Sequence, residues 1–209
     1  MTPIQASDFI LSRVSRIDII PVLAIDDVSI GMDLAHALVD AGMSAIEVTL
    51  RTDNALKVIE AMASVSGATV AAGTVLNESQ LLASREAGAE FVVSPGSTPA
   101  LLQSAQTHGI PLLPGAATAS EIMALFESGF HFQKFFPAAI NGGVGALRSL
   151  GAPLPNVSFC PTGGVNATNV TDYLALDNVV CVGGSWMITA QDMANRDWDM
   201  IGKRVGQAS

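Results

Sequence analysis

Short β-rich runs alternate with helical patterns along the whole chain, and this alternation limits the possible folds more than any single motif does. The runs span residues 17–25, 44–50, 69–75, 91–95, 111–114, 132–137, 157–161 and 179–182. Their centres recur at about 20–27 residues, the length of one strand–helix unit with short loops. Helix starts are marked between them. Asn77 has Gln80 three residues on, Thr118 has Glu121 in the same relation, and Pro99 follows Thr98 at a first helical position. Helix ends carry glycine, at Ala41-Gly42, Ala87-Gly88 and Ser128-Gly129. Eight strands alternating with helices, with no linker or low-complexity stretch, predict an α/β fold: a closed (β/α)₈ TIM barrel forming one domain over residues 1–209. Residues 4–14 add a helix before the first strand, placed to close the barrel bottom. The competing architecture is an open doubly wound sheet. It would carry a Gly-x-Gly-x-x-Gly loop after its first strand, where this chain reads Ile25-Asp26-Asp27-Val28.

The charge balance narrows the partners. A net charge of −9 supplies no basic face for nucleic acid or an anionic membrane, although a few local donors still suffice for a small anion. Only 14% of residues are charged, against roughly 25% in an average globular chain. With 49% hydrophobic residues, part of the apolar surface is expected to be covered by other subunits. No apolar run reaches the ~20 residues of a membrane span, and residues 1–16 lack an uninterrupted signal core, so a cytoplasmic location is expected. Cys160 and Cys181 lie in different apolar runs and read as buried small hydrophobes. His36, His108 and His131 show no metal-ligand spacing, so neither metal nor cofactor is expected.

One residue breaks the apolar pattern. Lys134 sits inside Phe132-Gln133-Lys134-Phe135-Phe136-Pro137, a strand-like run where an ammonium loses solvation. The other two lysines have plain readings, Lys57 four residues after Asp53 on a helix at 54–64 and Lys203 in a polar C-terminal segment. Burial favours a neutral amine, and a neutral amine attacks ketones. The plain alternative is a snorkelling or ion-paired lysine.

In a barrel, chemistry gathers at the C-terminal ends of the strands, and phosphate sits after strands seven and eight. The second strand reads Ala45-Ile46-Glu47-Val48-Thr49-Leu50-Arg51, and period-two alternation places Glu47, Thr49 and Arg51 on one inward face. A structural Glu47–Arg51 ion pair is the plain alternative there. Strand three ends at Thr74, and strands four and five end at Ser94-Pro95-Gly96 and Pro114-Gly115. The last two strands end in Thr162-Gly163-Gly164 and Gly183-Gly184-Ser185. Paired glycines let backbone N–H groups approach an anion, helped by a following helix N-terminus. A third cluster, Asn141-Gly142-Gly143-Val144-Gly145, reads as the loop after strand six. Amine, carboxylate, guanidinium, hydroxyl and phosphate cradle together suit Schiff-base chemistry on a phosphorylated keto acid.

Six ordered motifs carry a family resemblance: Glu47-Val48-Thr49-Leu50-Arg51-Thr52, Ala72-Gly73-Thr74-Val75-Leu76, Ser94-Pro95-Gly96, Lys134-Phe135-Phe136-Pro137-Ala138, Phe159-Cys160-Pro161-Thr162-Gly163-Gly164 and Gly183-Gly184-Ser185-Trp186. The chain resembles the 2-keto-3-deoxy-6-phosphogluconate (KDPG) and 4-hydroxy-2-oxoglutarate (KHG) aldolase family across nearly its whole length. The resemblance implies a metal-independent class I aldolase, a trimer of barrels, and the final cleavage of the Entner–Doudoroff pathway. It implies Lys134 as the Schiff-base lysine and Glu47 as general acid/base. Arg51 and Thr74 are implied as ligands of the pyruvyl carboxylate, Pro95 and Phe136 as pocket walls, and Thr162, Gly163, Gly164, Gly184 and Ser185 as the phosphate end. Two departures stand out. Ala72 replaces a common Gly, and Ala139-Ile140 replaces a more polar pair, a change near the loop that bears on substrate range. Two other readings of the residues remain: a phosphate-binding isomerase or epimerase using Glu47 as base, and a non-catalytic effector-binding barrel.

Overall fold

The computed structural model describes residues 1–208, with side chains through residue 206. Helix α1 (Pro3–Val14) precedes the strands β1 (Ile19–Leu23), β2 (Ala45–Thr49), β3 (Thr69–Gly73), β4 (Phe91–Val93), β5 (Leu112–Leu113), β6 (Gly115–Ala116), β7 (Phe132–Phe135), β8 (Ser158–Pro161) and β9 (Val182–Gly184). Between and after them run α2 (Gly31–Asp40), α3 (Ala55–Ala63), α4 (Glu78–Glu86), α5 (Pro99–His108), α6 (Ala119–Glu127), α7 (Gly143–Gly151), α8 (Val170–Leu174), α9 (Ala190–Asn195) and α10 (Trp198–Ala208). All strand pairs are parallel. Six strands form a curled sheet in the order β5-β4-β3-β2-β1-β9, and three form a second sheet in the order β6-β7-β8. Two isolated bridges, Phe159 with Val179 and Thr162 with Gly183, connect β8 to the β9 segment.

Two departures from the sequence reading have local causes. The fifth expected strand is split into β5 and β6 at Pro114, which has no N–H to give a ladder. The last strand falls at Val182–Gly184 rather than 179–182, because the chain changes partner there. Val180 N–H donates to Phe159 on β8, whereas Val182 N–H donates to Asp18 beside β1. The helix signals hold where the side chains make the expected bonds. Asn77 accepts from Gln80 N–H, Thr98 from Leu101 N–H, and Thr118 and Glu121 form a complete capping box. Gly42, Gly88 and Gly129 have φ of 92°, 93° and 93°, the left-handed ends that glycine adopts without Cβ strain. The 141–145 glycine cluster is only partly a loop, since α7 begins at Gly143. Lys57 bonds Asn54 Oδ1 at 3.4 Å, so the expected Asp53 pairing gives way to a nearer acceptor.

The core has two layers because strand residues alternate between faces. The outer face packs against helices through residues such as Ile46, Val48, Val92, Leu112 and Phe135. The inner face supplies Ile20, Ala45, Ala71, Phe91, Val93, Leu113, Phe132, Cys160 and Cys181 to one cluster that spans both sheets. Helix α1 drives Ile10 and Val14 into that same interior, both fully buried, each contributing about 1.5–3 kcal/mol. Both sheets and α1 therefore contribute to one shared interior. Both cysteines are free and buried. His108 pairs with Glu78 at 2.7 Å and His131 with Asp8 at 3.2 Å. Among the described residues no helix is long and apolar enough to cross a membrane.

Candidate active site

Strands β2 and β7 bring the two chemically distinctive side chains together from 87 residues apart. Glu47 stands in the middle of β2, opposite Val22 of β1 and Ala71 of β3. Lys134 stands on β7, opposite Gly115 of β6 and Cys160 of β8. Their inward faces meet. Lys134 Nζ lies 3.1 Å from Glu47 Oε1 and 3.3 Å from Oε2, and the residues are only 5% and 4% exposed. The ammonium is also 5.5 Å from the centroid of the Phe136 ring, a cation–π distance. The plain reading of an ion-paired lysine is thus realised, with a buried carboxylate as the partner. The alternative Glu47–Arg51 ion pair does not form.

Space for the carboxylate comes from β3. A Cβ on Gly73 would stand 2.7 Å from Glu47 Cγ and 2.8 Å from Cδ, so glycine is required beside that side chain. The next residue, Thr74, has φ of 59°. For a β-branched residue this conformation costs on the order of 1–3 kcal/mol, and such strain collects at functional sites.

Arg51 lies two residues beyond β2, exposed at the strand end rather than inside the sheet. Its Nε donates to Thr49 Oγ1 at 3.0 Å, and Thr49 Oγ1 donates to the Leu23 carbonyl at 2.8 Å. Strand alternation places Thr49 on the Glu47 face but assigns it no role; no sequence motif marks the bond to Arg51.

A cleft of about 340 Å³ falls within the size range of small-molecule sites. Arg51, Phe136, Thr162, Gly163, Gly164, Gly184 and Ser185 all line it. Lys134, Glu47, Thr74 and Pro95 are not among its lining residues, but Phe136, whose ring centroid is 5.5 Å from Lys134 Nζ, is. The sequence reading misses the apolar wall of Ile188 and Met193, which lies after β9 in a segment without a motif.

The glycines at the far end serve packing as well as access. Gly163 and Gly164 have φ of 96° and 80°, and a Cβ on Gly164 would overlap Ala139. A Cβ on Gly183 would overlap Thr162, and one on Gly184 would overlap the Trp186 ring. Among the described residues, the N–H groups of Gly163, Gly164 and Ser185 have no protein acceptor. Thr162 Oγ1 is buried and also unpartnered. Helix N-termini contribute less than expected, because α8 starts six residues after Gly164 and α9 five after Ser185.

Residues 10–204 match the family described as KDPG and KHG aldolase. The chain belongs to that family. A 2-dehydro-3-deoxy-phosphogluconate aldolase of Pseudoalteromonas atlantica is 46% identical over 191 residues, covering 91% of this chain and 89% of the relative. A KHG/KDPG aldolase of Escherichia coli is likewise 46% identical, over 91% of this chain and 90% of its own. Among solved structures, a KDPG aldolase from Legionella pneumophila, with pyruvate captured at low pH as a covalent carbinolamine intermediate, superposes with a TM-score of 0.91 at 39% identity. That match covers 95% of this chain and 97% of the other. The Zymomonas mobilis enzyme with 3-phosphoglycerate gives a TM-score of 0.91 at 41% identity, over 97% and 96% of the two chains. Family membership sets the buried amine and the glycine-lined cleft within one aldolase framework.

Proposed function

We propose that this chain is a class I aldolase that cleaves 2-dehydro-3-deoxy-6-phosphogluconate to pyruvate and glyceraldehyde 3-phosphate, and 4-hydroxy-2-oxoglutarate to pyruvate and glyoxylate. The observation that carries the reading is the buried Lys134–Glu47 contact, with Lys134 packed on Phe136, a wall of the glycine-lined cleft. Both substrates share a C2 ketone and a C4 hydroxyl, and the chemistry uses only those. The 3.1 Å contact lets Glu47 take a proton from Lys134, freeing the amine to attack C2. The protonated Glu47 then supplies the proton with which the carbinolamine hydroxyl leaves as water, giving a protonated imine. Glu47, a carboxylate again, removes the C4 hydroxyl proton. The C3–C4 pair flows into the imine, releasing the aldehyde and leaving an enamine. Reprotonation at C3 and hydrolysis release pyruvate and regenerate the amine. One carboxylate serves every proton transfer because its charge state alternates with each step.

Arg51 and Thr74 hold the pyruvyl carboxylate, with the guanidinium providing a bidentate fork. Pro95 and Phe136 wall the pyruvyl end, and Thr162, Gly163, Gly164, Gly184 and Ser185 bind phosphate. The two sheets form one closed (β/α)₈ barrel and a single domain, supported by the shared inner cluster and by the β8–β9 bridges. We take the chain to act as a cytoplasmic homotrimer; exposed Ile4, Met123 and Phe126 support association with further copies. Reduction with borohydride in the presence of pyruvate tests the central step. Inactivation with the adduct on Lys134 alone is expected; an adduct on Lys57 or Lys203, or none, would sink the Schiff-base assignment.

A further inference from the structure

We infer that Thr49 is a positioning residue that sets the guanidinium of Arg51 for end-on recognition of the substrate carboxylate. The inference rests on the carboxylate role proposed for Arg51. Thr49 is 2% exposed at the last position of β2, so its side chain is immobilised by the sheet on both sides. Its hydroxyl has one proton, and that proton goes to the Leu23 carbonyl of β1 at 2.8 Å. The oxygen is therefore left to the lone-pair side as an acceptor, and the Nε–H of Arg51 occupies it at 3.0 Å. The direction of the bond is fixed, because a guanidinium only donates.

Two consequences follow. A long, exposed side chain is tied at its Nε to the edge of a rigid strand. It loses its conformational freedom during folding rather than when the substrate arrives. Second, Nε is consumed, so the side-on fork made by Nε with one terminal nitrogen is closed to a ligand. Nη1 and Nη2 have no protein acceptor among the described residues, and Arg51 lines the cleft. That leaves the end-on fork, two parallel N–H groups matched to the two oxygens of a carboxylate. The backbone supports the same geometry, since Arg51 N–H bonds the Thr49 carbonyl at 2.8 Å and Leu50 N–H bonds the Gly73 carbonyl at 2.8 Å.

A double-mutant cycle tests this, with the pyruvate concentration for half-maximal borohydride trapping as the readout. Thr49→Val removes the acceptor and should raise that concentration about tenfold, the scale of one hydrogen bond to a charged group, with the maximal trapping rate changed less than threefold. Thr49→Ser keeps the hydroxyl and should restore the wild-type value. In an Arg51→Ala background there is no guanidinium to hold, so Thr49→Val should add nothing. An equal loss in both backgrounds, or no loss in either, overturns the positioning role while leaving Arg51 on the carboxylate. If Arg51→Ala alone leaves half-saturation unchanged, the carboxylate role of Arg51 fails, and the inference with it. Should Thr49→Val fail to fold, Thr49→Ala gives the same cycle with a smaller side chain, which leaves room for water to reach the Leu23 carbonyl.

Discussion

The two ends of the site are built from opposite materials. At the β2–β7 end, the proposed chemistry rests on two side chains, Glu47 and Lys134, both almost fully buried on strands and in direct contact. At the β8–β9 end the proposed phosphate site combines backbone N–H groups with the Thr162 and Ser185 hydroxyls, and Gly163, Gly164, Gly183 and Gly184 have no room for side chains. In the proposed mechanism the first end carries the bond-breaking chemistry common to both substrates, while the second meets only the part in which they differ. Losses at the first end should therefore strike both substrates alike, and losses at the second should discriminate between them.

The strongest test is Glu47→Gln, which preserves shape but cannot shuttle protons. A fall in kcat of about 10²–10⁴ on both substrates is expected, and steady-state kinetics within a few-fold of wild type would remove Glu47 from its role.

Gly73→Ala probes the same end without touching a reacting group. Its methyl would crowd Glu47 Cγ and Cδ, and displacing that buried carboxylate from Lys134 costs stability as well as catalysis. The melting temperature should fall, and kcat in the folded fraction should fall about a hundredfold, the scale of a 1 Å misplacement. A large loss of melting temperature with normal kcat in the folded fraction would make Gly73 a packing residue only.

Ser185→Ala should reveal the asymmetry. Losing one hydrogen bond to a charged group lowers kcat/KM on the phosphorylated substrate roughly ten- to a hundredfold, with a much smaller loss on 4-hydroxy-2-oxoglutarate. Equal losses on both would move phosphate recognition elsewhere.

The smallest effect concerns how the glycine end is walled. Met193 of α9 lines the cleft, and its neighbour Asp192 binds Arg204 of α10, with the second contact at 3.1 Å, and also Thr189. The Arg204 guanidinium first, and then the Thr189 hydroxyl, hold the Asp192 carboxyl down at about 2, below its ordinary 3.8. A depressed folded-state pKa stabilises above the unfolded value and is lost as pH falls toward 2. Asp192→Asn should therefore lower the melting temperature modestly near neutral pH and lose that effect as pH drops from about 4 to 2. A deficit that persists unchanged at pH 2 would rule out the ion pair as its source.

Much of this architecture is local and was legible from residues alone. The capping boxes at Thr118 and the glycine stops at Gly42, Gly88 and Gly129 depend on bonds within a turn or two, so short-range spacing reveals them. The alternation of Ile46, Glu47 and Val48 reveals which residues face inward for the same reason. An amine among aromatics at Lys134 is anomalous in one dimension, and so are the paired glycines. Other features resisted reading because their causes are not near in sequence. The split at Pro114 and the shifted β9 depend on which neighbouring strand accepts each N–H, a property of three-dimensional pairing.

Sequence by itself determined the strand–helix order, the presence of a misplaced lysine and carboxylate, and membership of an aldolase family. Tertiary structure alone decided the partnerships. It joined Lys134 to Glu47 rather than Glu47 to Arg51, gave Arg51 to Thr49, and left Thr162 without a partner at the cleft wall. The physical reason is that a buried charge or hydroxyl bonds whatever donor or acceptor the packed sheets bring within about 3 Å, and sequence spacing carries no information about that distance between residues on separate strands.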